Sequence, residues 1–280
     1  MEPYFVVTPP RSEETPVVVE VPHAGLYVPP HFACDMLAPV RSIARDADLF
    51  VDELYEGACD EGATLVVSRV SRYVVDLNRA ETDVDADTVV GGPSSPRAPR
   101  GVVWRLTTDN ERALAGPLTR EKLEARLAEI HRPYHAALAA AIRGKLERFG
   151  VCVLLAGHSM PSVGRSGHGD ENVQRADVVP GTQGRTTADA SLIDLVEQHA
   201  REAGLSVLHD EPYRGGWTTR LWGRPSQHVH AVQVEIARRL YMDEAVLVRG
   251  QAFDAARKFT RTLVRISEWP APHSSVHSTG

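Results

Sequence analysis

An apolar run that begins at Val151 constrains the fold of this 280-residue chain more than any other stretch. Its seven residues, VCVLLAG, are almost all aliphatic and end at Gly157, and His158 follows at once. A run of this length and composition is typical of a strand buried on both faces, as in a sheet covered by helices. Ligands of open α/β sheets bind just beyond the carboxyl ends of such strands. The run therefore predicts an α/β fold with a polar side chain presented at the end of a central strand.

Two other segments repeat this arrangement of an apolar run with a chemically active side chain at its end. Residues 17–21 (VVVEV) lead into His23, and residues 230–235 (HAVQVE) end at Glu235. Because the carboxyl ends of parallel strands meet at one edge of a sheet, we expect His23, His158 and Glu235 to contribute to one site.

The rest of the chain alternates between helical and strand patterns, which indicates helices layered on a sheet. Apolar residues at helical spacing predict helices over residues 46–60, 119–149, 188–203 and 243–266. The second of these should kink or break at Pro133. The last should pack through Val246, Phe253, Phe259 and Leu263.

Short β-branched runs and polar segments complete the expected organisation. The runs predict further strands at 63–68, 72–77 and 205–209. A segment rich in Asp, Gly, Pro and Ser, residues 80–101, is either a functional loop such as a lid or a disordered segment. A second polar, Gly-rich segment covers residues 164–187. One domain over residues 1–280 is the simplest organisation, with loosely ordered tails at 1–15 and 270–280.

Composition excludes several classes of function. The net charge of −6 does not give the basic face that nucleic-acid binding requires. No apolar run approaches the roughly 20 residues that cross a bilayer, and the N-terminus lacks the features of a signal peptide. The three cysteines form no CxxC pair, which favours reduced thiols and a cytoplasmic location. We expect a protein that binds neither nucleic acid nor membrane, as a monomer or a small homo-oligomer.

The segment Gly157-His-Ser-Met-Pro161 resembles the GxSxG nucleophile elbow of serine hydrolases, with Ser159 as the nucleophile. Two features oppose this interpretation. Pro161 replaces the closing glycine, and the polar sequence SVGRSGHGDEN follows where the elbow requires a helix.

A metal site is the stronger interpretation of His158. A catalytic zinc needs three protein ligands of the His or carboxylate type and an open position for water. His23 and His158 both stand at strand ends beside flexible residues, and either Asp46 or Asp48 could supply the third ligand. Each aspartate could instead complement a helix dipole. The sequence contains no HExxH motif, which excludes a thermolysin-type arrangement.

A hydrolytic metal site also needs a base and a means of holding its substrate. Glu235 is an acid inside an otherwise apolar strand, and its alternative role is an ion pair with a nearby arginine, Arg238 or Arg239. Arg79, Arg165 and Arg220 follow strands or lie in Gly-rich loops. Because a guanidinium matches a carboxylate bidentately, these arginines predict a small anionic substrate.

At these positions the chain resembles the N-formylglutamate amidohydrolase family, whose members are similar in fold to zinc carboxypeptidases. The resemblance extends from about Val17 to Glu244. Its matching blocks are PHAG, DADLFVDELY, SRYVVDLNR, RPYH, GHSMPS, RADVVPG, GGWTTRLWG and HAVQVEIARRLYM.

The resemblance implies a three-layer α/β/α fold of the zinc-exopeptidase type with a mixed central sheet, and one Zn²⁺ per chain. It implies hydrolysis of N-formyl-L-glutamate to formate and L-glutamate, a step of histidine degradation. By position, it implies the following roles: His23, Asp48 and His158 bind the metal; Glu235 is the general base; Arg79 beside Asn78 holds one substrate carboxylate; and Arg165 and Arg220 hold the other or stabilise the oxyanion.

One departure from the family pattern leaves the substrate open. Leu49 and Phe50 stand where members often carry an aromatic residue and a histidine. One alternative is therefore a related metal-dependent deacylase acting on another N-acyl amino acid. Two further alternatives, independent of this departure, are a serine hydrolase using Ser159 and a homologue that binds a ligand without catalysis.

Overall fold

A mixed six-stranded sheet forms the centre of the protein in a computed structural model that describes residues 3–165 and 169–265. The strands are β1 (Phe5–Thr8), β2 (Val17–Val21), β3 (Thr64–Ser68), β4 (Cys152–Met160), β5 (Val178–Gly181) and β6 (Val229–Ala237). Their order is β1-β3-β2-β4-β6-β5, with four parallel strands in the middle and an antiparallel strand at each edge. The strands that carry the predicted site are therefore neighbours.

Helices cover both faces of the sheet. They are α1 (Pro30–Ala33), α2 (Val40–Asp46), α3 (Val51–Leu54), α4 (Arg120–Arg126), α5 (Arg132–Phe149), α6 (Ala190–Glu202), α7 (Trp217–Trp222) and α8 (Phe253–Val264). Alternate strand residues face opposite layers, so that Val17 and Val19 pack with the layer of α3, α6 and α8, whereas Val18 packs with that of α5. Apolar runs without polar alternation are the consequence of this two-sided burial. The structure confirms a three-layer α/β/α fold with a mixed sheet.

The register of the sheet aligns two of the predicted site residues. His158 on β4 pairs with Glu235 on β6. Strand β4 continues to Met160, so His158 lies inside the strand and not just after it as the sequence suggested. Both residues therefore lie on central strands of the sheet, where the backbone is held rigidly on both sides.

The predicted helix over residues 46–60 is wrong. Helix α2 ends at Asp46, Ala47 is extended, and Phe50 has a left-handed backbone conformation with φ 66° before α3 begins. A 3₁₀ turn covers Glu56–Glu61. The backbone N–H of Asp48 donates to the carbonyl of His23 at 3.0 Å, which fixes the turn against the end of β2. This long-range contact overrides the local helical spacing.

The long helical pattern of residues 119–149 forms α4, a π turn at Leu127–His131 and then α5. Pro133 is the second residue of α5 and has no N–H to donate, and the π turn lies directly before it. The predicted interruption at the proline is therefore a single π turn.

The sequence missed both edge strands. Strand β1 comes from the segment expected to be a loose tail, and β5 comes from the segment expected to be a polar loop. Residues 72–77 form turns, not a strand, and residues 205–209 contribute one bridge, between Val207 and Val178. Edge strands are short and carry weak apolar patterns, since they have a neighbour on one side only.

The C-terminal helix is shorter than predicted. A small hairpin, β7 (Met242–Asp243) and β8 (Val248–Arg249), precedes α8, and Val246 is exposed on it instead of packing. Phe253, Phe259 and Leu263 are buried as expected. The predicted helix end at Ile266 and the tail at 270–280 lie outside the described residues. None of the helices in the described ranges could cross a membrane.

The segment 80–101 is an ordered loop organised around one buried carboxylate. Asp85 accepts hydrogen bonds from the backbone N–H groups of Thr88 and Arg97 and from the guanidinium of Arg105. Asp83 and Arg100 from the same loop line the cavity described below.

Candidate metal centre

Three buried side chains, His23, Asp48 and His158, converge near the carboxyl ends of β2 and β4. The Nδ1 atoms of the two histidines are 3.2 Å apart. Oδ2 of Asp48 lies 3.1 Å from Nδ1 of His158 and 3.6 Å from Nδ1 of His23. The three atoms therefore form a compact triangle with sides of 3.1–3.6 Å.

The dimensions of this triangle fit a tetrahedral metal ion. Zinc binds nitrogen and carboxylate oxygen at about 2.0–2.2 Å, so ligand atoms at tetrahedral angles lie roughly 3.3–3.6 Å apart. Two imidazoles and one carboxylate are the donor set of a catalytic zinc site with a vacant position for water. The residues present thus fit a divalent zinc-like cation.

The charge distribution around Asp48 also favours a cation. Burial acts to raise the pKa of its carboxyl group, but the contacts with His158 and His23 outweigh burial and hold that pKa well below its ordinary value. The buried group is therefore an anion that requires positive charge beside it.

Asp76 orients one of the candidate ligands. Its Oδ1 lies 2.8 Å from Nε2 of His23 and accepts the backbone N–H of Asn78. Its Oδ2 accepts Nε1–H of Trp104 and Nη2–H of Arg72, both at 2.9 Å. A proton on Nε2 of His23 leaves a lone pair on Nδ1, directed at the centre of the triangle. A carboxylate in this position is a common outer partner of metal-binding histidines.

Sequence reasoning did not single out Asp76, Arg72 or Trp104. The available signal was an acid inside the apolar run VVDL, the same signal that identified Glu235. Asp76 is fully buried, and the pKa of its carboxyl group is held well below its ordinary value because His23 and Arg72 outweigh the effect of burial.

Glu235 lies in the same cavity, and none of the described residues places a cationic group within hydrogen-bond distance of it. Its Oε1 accepts a hydrogen bond from Nε2 of Gln233 at 2.9 Å. The arginines suggested as ion-pair partners contact other groups: Arg238 donates to backbone carbonyls and Arg239 pairs with Asp177. Burial raises the pKa of Glu235 to about 7. A carboxylate with this pKa can both accept and return a proton near neutral pH.

The cavity around these groups has a volume of about 420 Å³. Its walls are rich in guanidinium groups. The arginines that line it are Arg72, Arg79, Arg100, Arg165, Arg175, Arg214 and Arg238. This excess of positive charge suits an anionic ligand.

The predicted substrate-binding residues occupy different parts of this region. Arg79 lines the cavity and donates to the carbonyls of Arg100 and Asn78. Arg165 lines it too, but its guanidinium is engaged with Asp46 at 2.8 Å. Arg220 is exposed and lines an adjoining depression, which it shares with Arg79.

Asn78 joins the cavity to helix α7. Its Oδ1 accepts hydrogen bonds from the N–H and the hydroxyl of Thr218, and its Nδ2 lies 3.4 Å from Nε2 of His158. A Cβ atom at Gly216 would lie 2.1 Å from Nδ2 of Asn78, so only glycine allows this close approach. Asn78 is thus held rigidly beside a candidate ligand.

The sequence left open whether Asp46 or Asp48 is the third candidate ligand, and the two side chains lie in different surroundings in the structure. Asp48 joins the histidines, whereas Asp46 accepts hydrogen bonds from Tyr73, Thr108 and Arg165. Ser159 directs its hydroxyl to Oδ1 of Asp48 at 3.3 Å. A serine nucleophile would instead donate to a histidine base.

Comparisons with known proteins give relatives over most of the chain. The sequence profile described as N-formylglutamate amidohydrolase matches residues 15–242. An N-formylglutamate deformylase of Pseudomonas aeruginosa is 30% identical over 260 residues, which cover 91% of this chain and 93% of the relative. A protein of the same name from Pseudomonas putida is 31% identical over 232 residues, 82% of each chain.

Solved structures show the same similarity. The crystal structure of N-formylglutamate amidohydrolase from Ralstonia eutropha JMP134 has a TM-score of 0.86 and 31% identity, over 95% of this chain and 97% of that one. A protein from Agrobacterium tumefaciens, 20% identical, shares the fold with a TM-score of 0.70 over 95% of each chain. Taken with the profile match, these findings show that the chain belongs to the N-formylglutamate amidohydrolase family.

Proposed function

We propose that this protein is a zinc-dependent N-formylglutamate deformylase that converts N-formyl-L-glutamate and water to formate and L-glutamate. The observation that carries the proposal is the triangle of His23, Asp48 and His158 beside the buried carboxyl group of Glu235 in an arginine-lined cavity. The relatives named as deformylases support the choice of substrate.

The residues of the chain supply distinct parts of this chemistry. A zinc ion held by the two histidines and Asp48 would act as a Lewis acid and would lower the pKa of its bound water. Glu235 accepts a proton from the attacking water and delivers it to the amide nitrogen as the C–N bond breaks. The carboxylate is suited to both steps because burial raises its pKa to about 7.

Arginines hold the substrate in this proposal. Nη2 of Arg79 has no hydrogen-bond partner among the described residues, and both Arg79 and Asn78 line the cavity. Arg79 is assigned to one carboxylate of the substrate. Arg165 and Arg220 are assigned to the second carboxylate or to the oxyanion. Bidentate pairing with a guanidinium would orient the amide toward Glu235.

The first experiment measures formate release from N-formyl-L-glutamate by the purified protein, with and without a chelator and after zinc is added back. The proposal expects activity that disappears on chelation and returns with zinc. N-formyl-L-glutamine and N-acetyl-L-glutamate serve as matched substrates that change one group each, with release of formate and of acetate, respectively, as the readout. Turnover of one of these two compounds without turnover of N-formyl-L-glutamate would identify a deacylase of different specificity. Turnover that resists the chelator would refute the proposed role of a metal ion.

Ligand variants test the site separately from the substrate. His23→Ala and His158→Ala should each lose most of the bound zinc, measured as metal per chain after gel filtration. A full equivalent of zinc in both variants would show that the ligand assignment is wrong. Asp46→Asn is the matched control, since Asp46 lies outside the triangle and should leave zinc content unchanged.

A further inference from the structure

The two oxygens of Asp48 have different surroundings. Oδ2 faces the Nδ1 atoms of His158 and His23 at 3.1 and 3.6 Å. Oδ1 has different neighbours: it accepts the hydroxyl of Ser159 at 3.3 Å and lies 3.6 Å from Nη2 of Arg238. One oxygen is thus available to a metal ion and the other is occupied by the protein.

Arg238 is buried, and hydrogen bonds direct each nitrogen of its guanidinium. Nη1 donates to the carbonyl of Arg45 at 2.7 Å and Nη2 to the carbonyl of Ala47 at 2.6 Å. Nε donates to Oγ of Ser159 at 3.3 Å. The planar fork therefore connects the end of β6, the end of β4 and the turn that carries Asp48. A lysine has no such fixed fork of donors.

We propose that Arg238 and Ser159 form a clamp on Oδ1 that makes Asp48 a one-oxygen metal ligand. The inference rests on the proposed function, because it concerns the metal site of that function. Both residues are positioning residues that act through Asp48. The clamp also gives Ser159 a role without nucleophilic chemistry, since its proton is donated to a carboxylate.

Single-oxygen binding matters for hydrolysis. Carboxylates bind metal ions through one oxygen or through both. A catalytic zinc has three protein ligands and keeps a position for water. If Oδ1 were free, it could turn toward the metal and fill the coordination shell. The clamp therefore preserves the position that the reaction uses.

The test compares Arg238→Lys and Ser159→Ala with the matched controls Arg239→Lys and Ser162→Ala. Arg239 pairs with Asp177, and Ser162 accepts a backbone N–H, so neither control side chain touches Asp48. Zinc affinity of the metal-free proteins is measured by competition with a chromogenic chelator. Outer partners of metal ligands typically change affinity by about 10–100-fold, and a change of that size is expected in the clamp variants only.

Cobalt provides a second readout that does not depend on turnover. The visible absorption of Co²⁺ is strong in four-coordinate sites and weaker when a fifth ligand binds. We expect a weaker band in both clamp variants than in the wild type and the controls. Unchanged zinc affinity and an unchanged cobalt spectrum in Ser159→Ala would overturn the clamp, even if Arg238→Lys failed to fold.

The outcomes also separate this inference from the proposed function. If the wild type binds zinc but releases no formate, the substrate assignment fails while the clamp can still be measured. If Ser159→Ala loses turnover with normal metal affinity and spectrum, the clamp is wrong and Ser159 acts directly. If the wild type binds no divalent metal, both proposals fail before any variant is compared.

Discussion

Replacing Glu235 with glutamine should stabilise the metal-free protein while it removes turnover. Burial raises the pKa of this carboxyl group from 4.5 to about 7. At about 1.4 kcal/mol per pH unit, ionisation of Glu235 costs the folded state about 3 kcal/mol. Glutamine has nearly the same shape, does not ionise, and can still accept the hydrogen bond from Gln233. Removing the buried charge therefore removes the cost.

The sign of the effect fixes its pH dependence. Between pH 4.5 and about 7 the unfolded chain has released the proton of Glu235, whereas the folded protein still holds it. The unfolded state thus binds fewer protons, so the free energy of unfolding of the wild type falls as pH rises through this window. The advantage of Glu235→Gln should be small near pH 4.5, should grow up to about pH 7, and should then remain constant.

Urea unfolding of the metal-free proteins at about pH 5 and pH 8 measures this difference. Glu147→Gln is a suitable control because Glu147 is exposed on α5, away from the cavity. Zinc content and formate release of the loaded Glu235→Gln enzyme are measured in parallel, and turnover should fall by about 10²–10⁴-fold with the metal retained. A stability difference that is equal at both pH values, or larger at pH 5, would refute the reasoning.

Three further predictions follow from contacts in and around the site. The kcat/KM of the wild type should rise with pH and level off above about 7, because ionised Glu235 accepts the proton; a profile that is flat across that pH would exclude it as the base. Asp76→Asn should weaken zinc binding about 10–100-fold, since His23 loses a carboxylate at 2.8 Å; chelator competition measures this, and an unchanged Kd would contradict it. Gly157→Ala should lower the free energy of unfolding by about 1–3 kcal/mol, because a Cβ atom would lie 2.4 Å from the ring of Tyr55; unchanged urea unfolding would show that the ring can move.

The parallel core of the fold was predictable because it is buried on both faces. Strands β2, β4 and β6 carry continuous apolar runs, and their burial is nearly complete. A charged residue inside such a run stands out, which is how Glu235 was found. The edge strands could not be found in the same way, since Phe5–Thr8 is only partly buried and β5 contains Pro180 and Gly181.

The parts of the site that sequence reasoning missed depend on contacts between distant segments. Asp48 lies in a turn and not in the predicted helix because its backbone is bonded to His23, 25 positions earlier in the chain. Arg238 looked like a local partner for Glu235, but its hydrogen bonds go to the carbonyls of Arg45 and Ala47. Periodicity describes neighbours along the chain, whereas the two hydrogen bonds of Arg238 join residues about 190 positions apart.

The separate roles of the buried carboxylates follow from what each one touches. Asp48 and Asp76 contact imidazole or guanidinium groups that hold their pKa low, which suits a ligand and its outer partner. Among the described residues, Glu235 has an amide as its hydrogen-bond partner, and burial raises its pKa to about 7, which suits a base. Glu20 has a pKa raised to about 7 as well, but it bonds to Tyr134 beneath the sheet and does not line the cavity. A perturbed pKa alone would therefore have selected two bases, and only the position of Glu235 beside the metal triangle distinguishes the one that a substrate can reach.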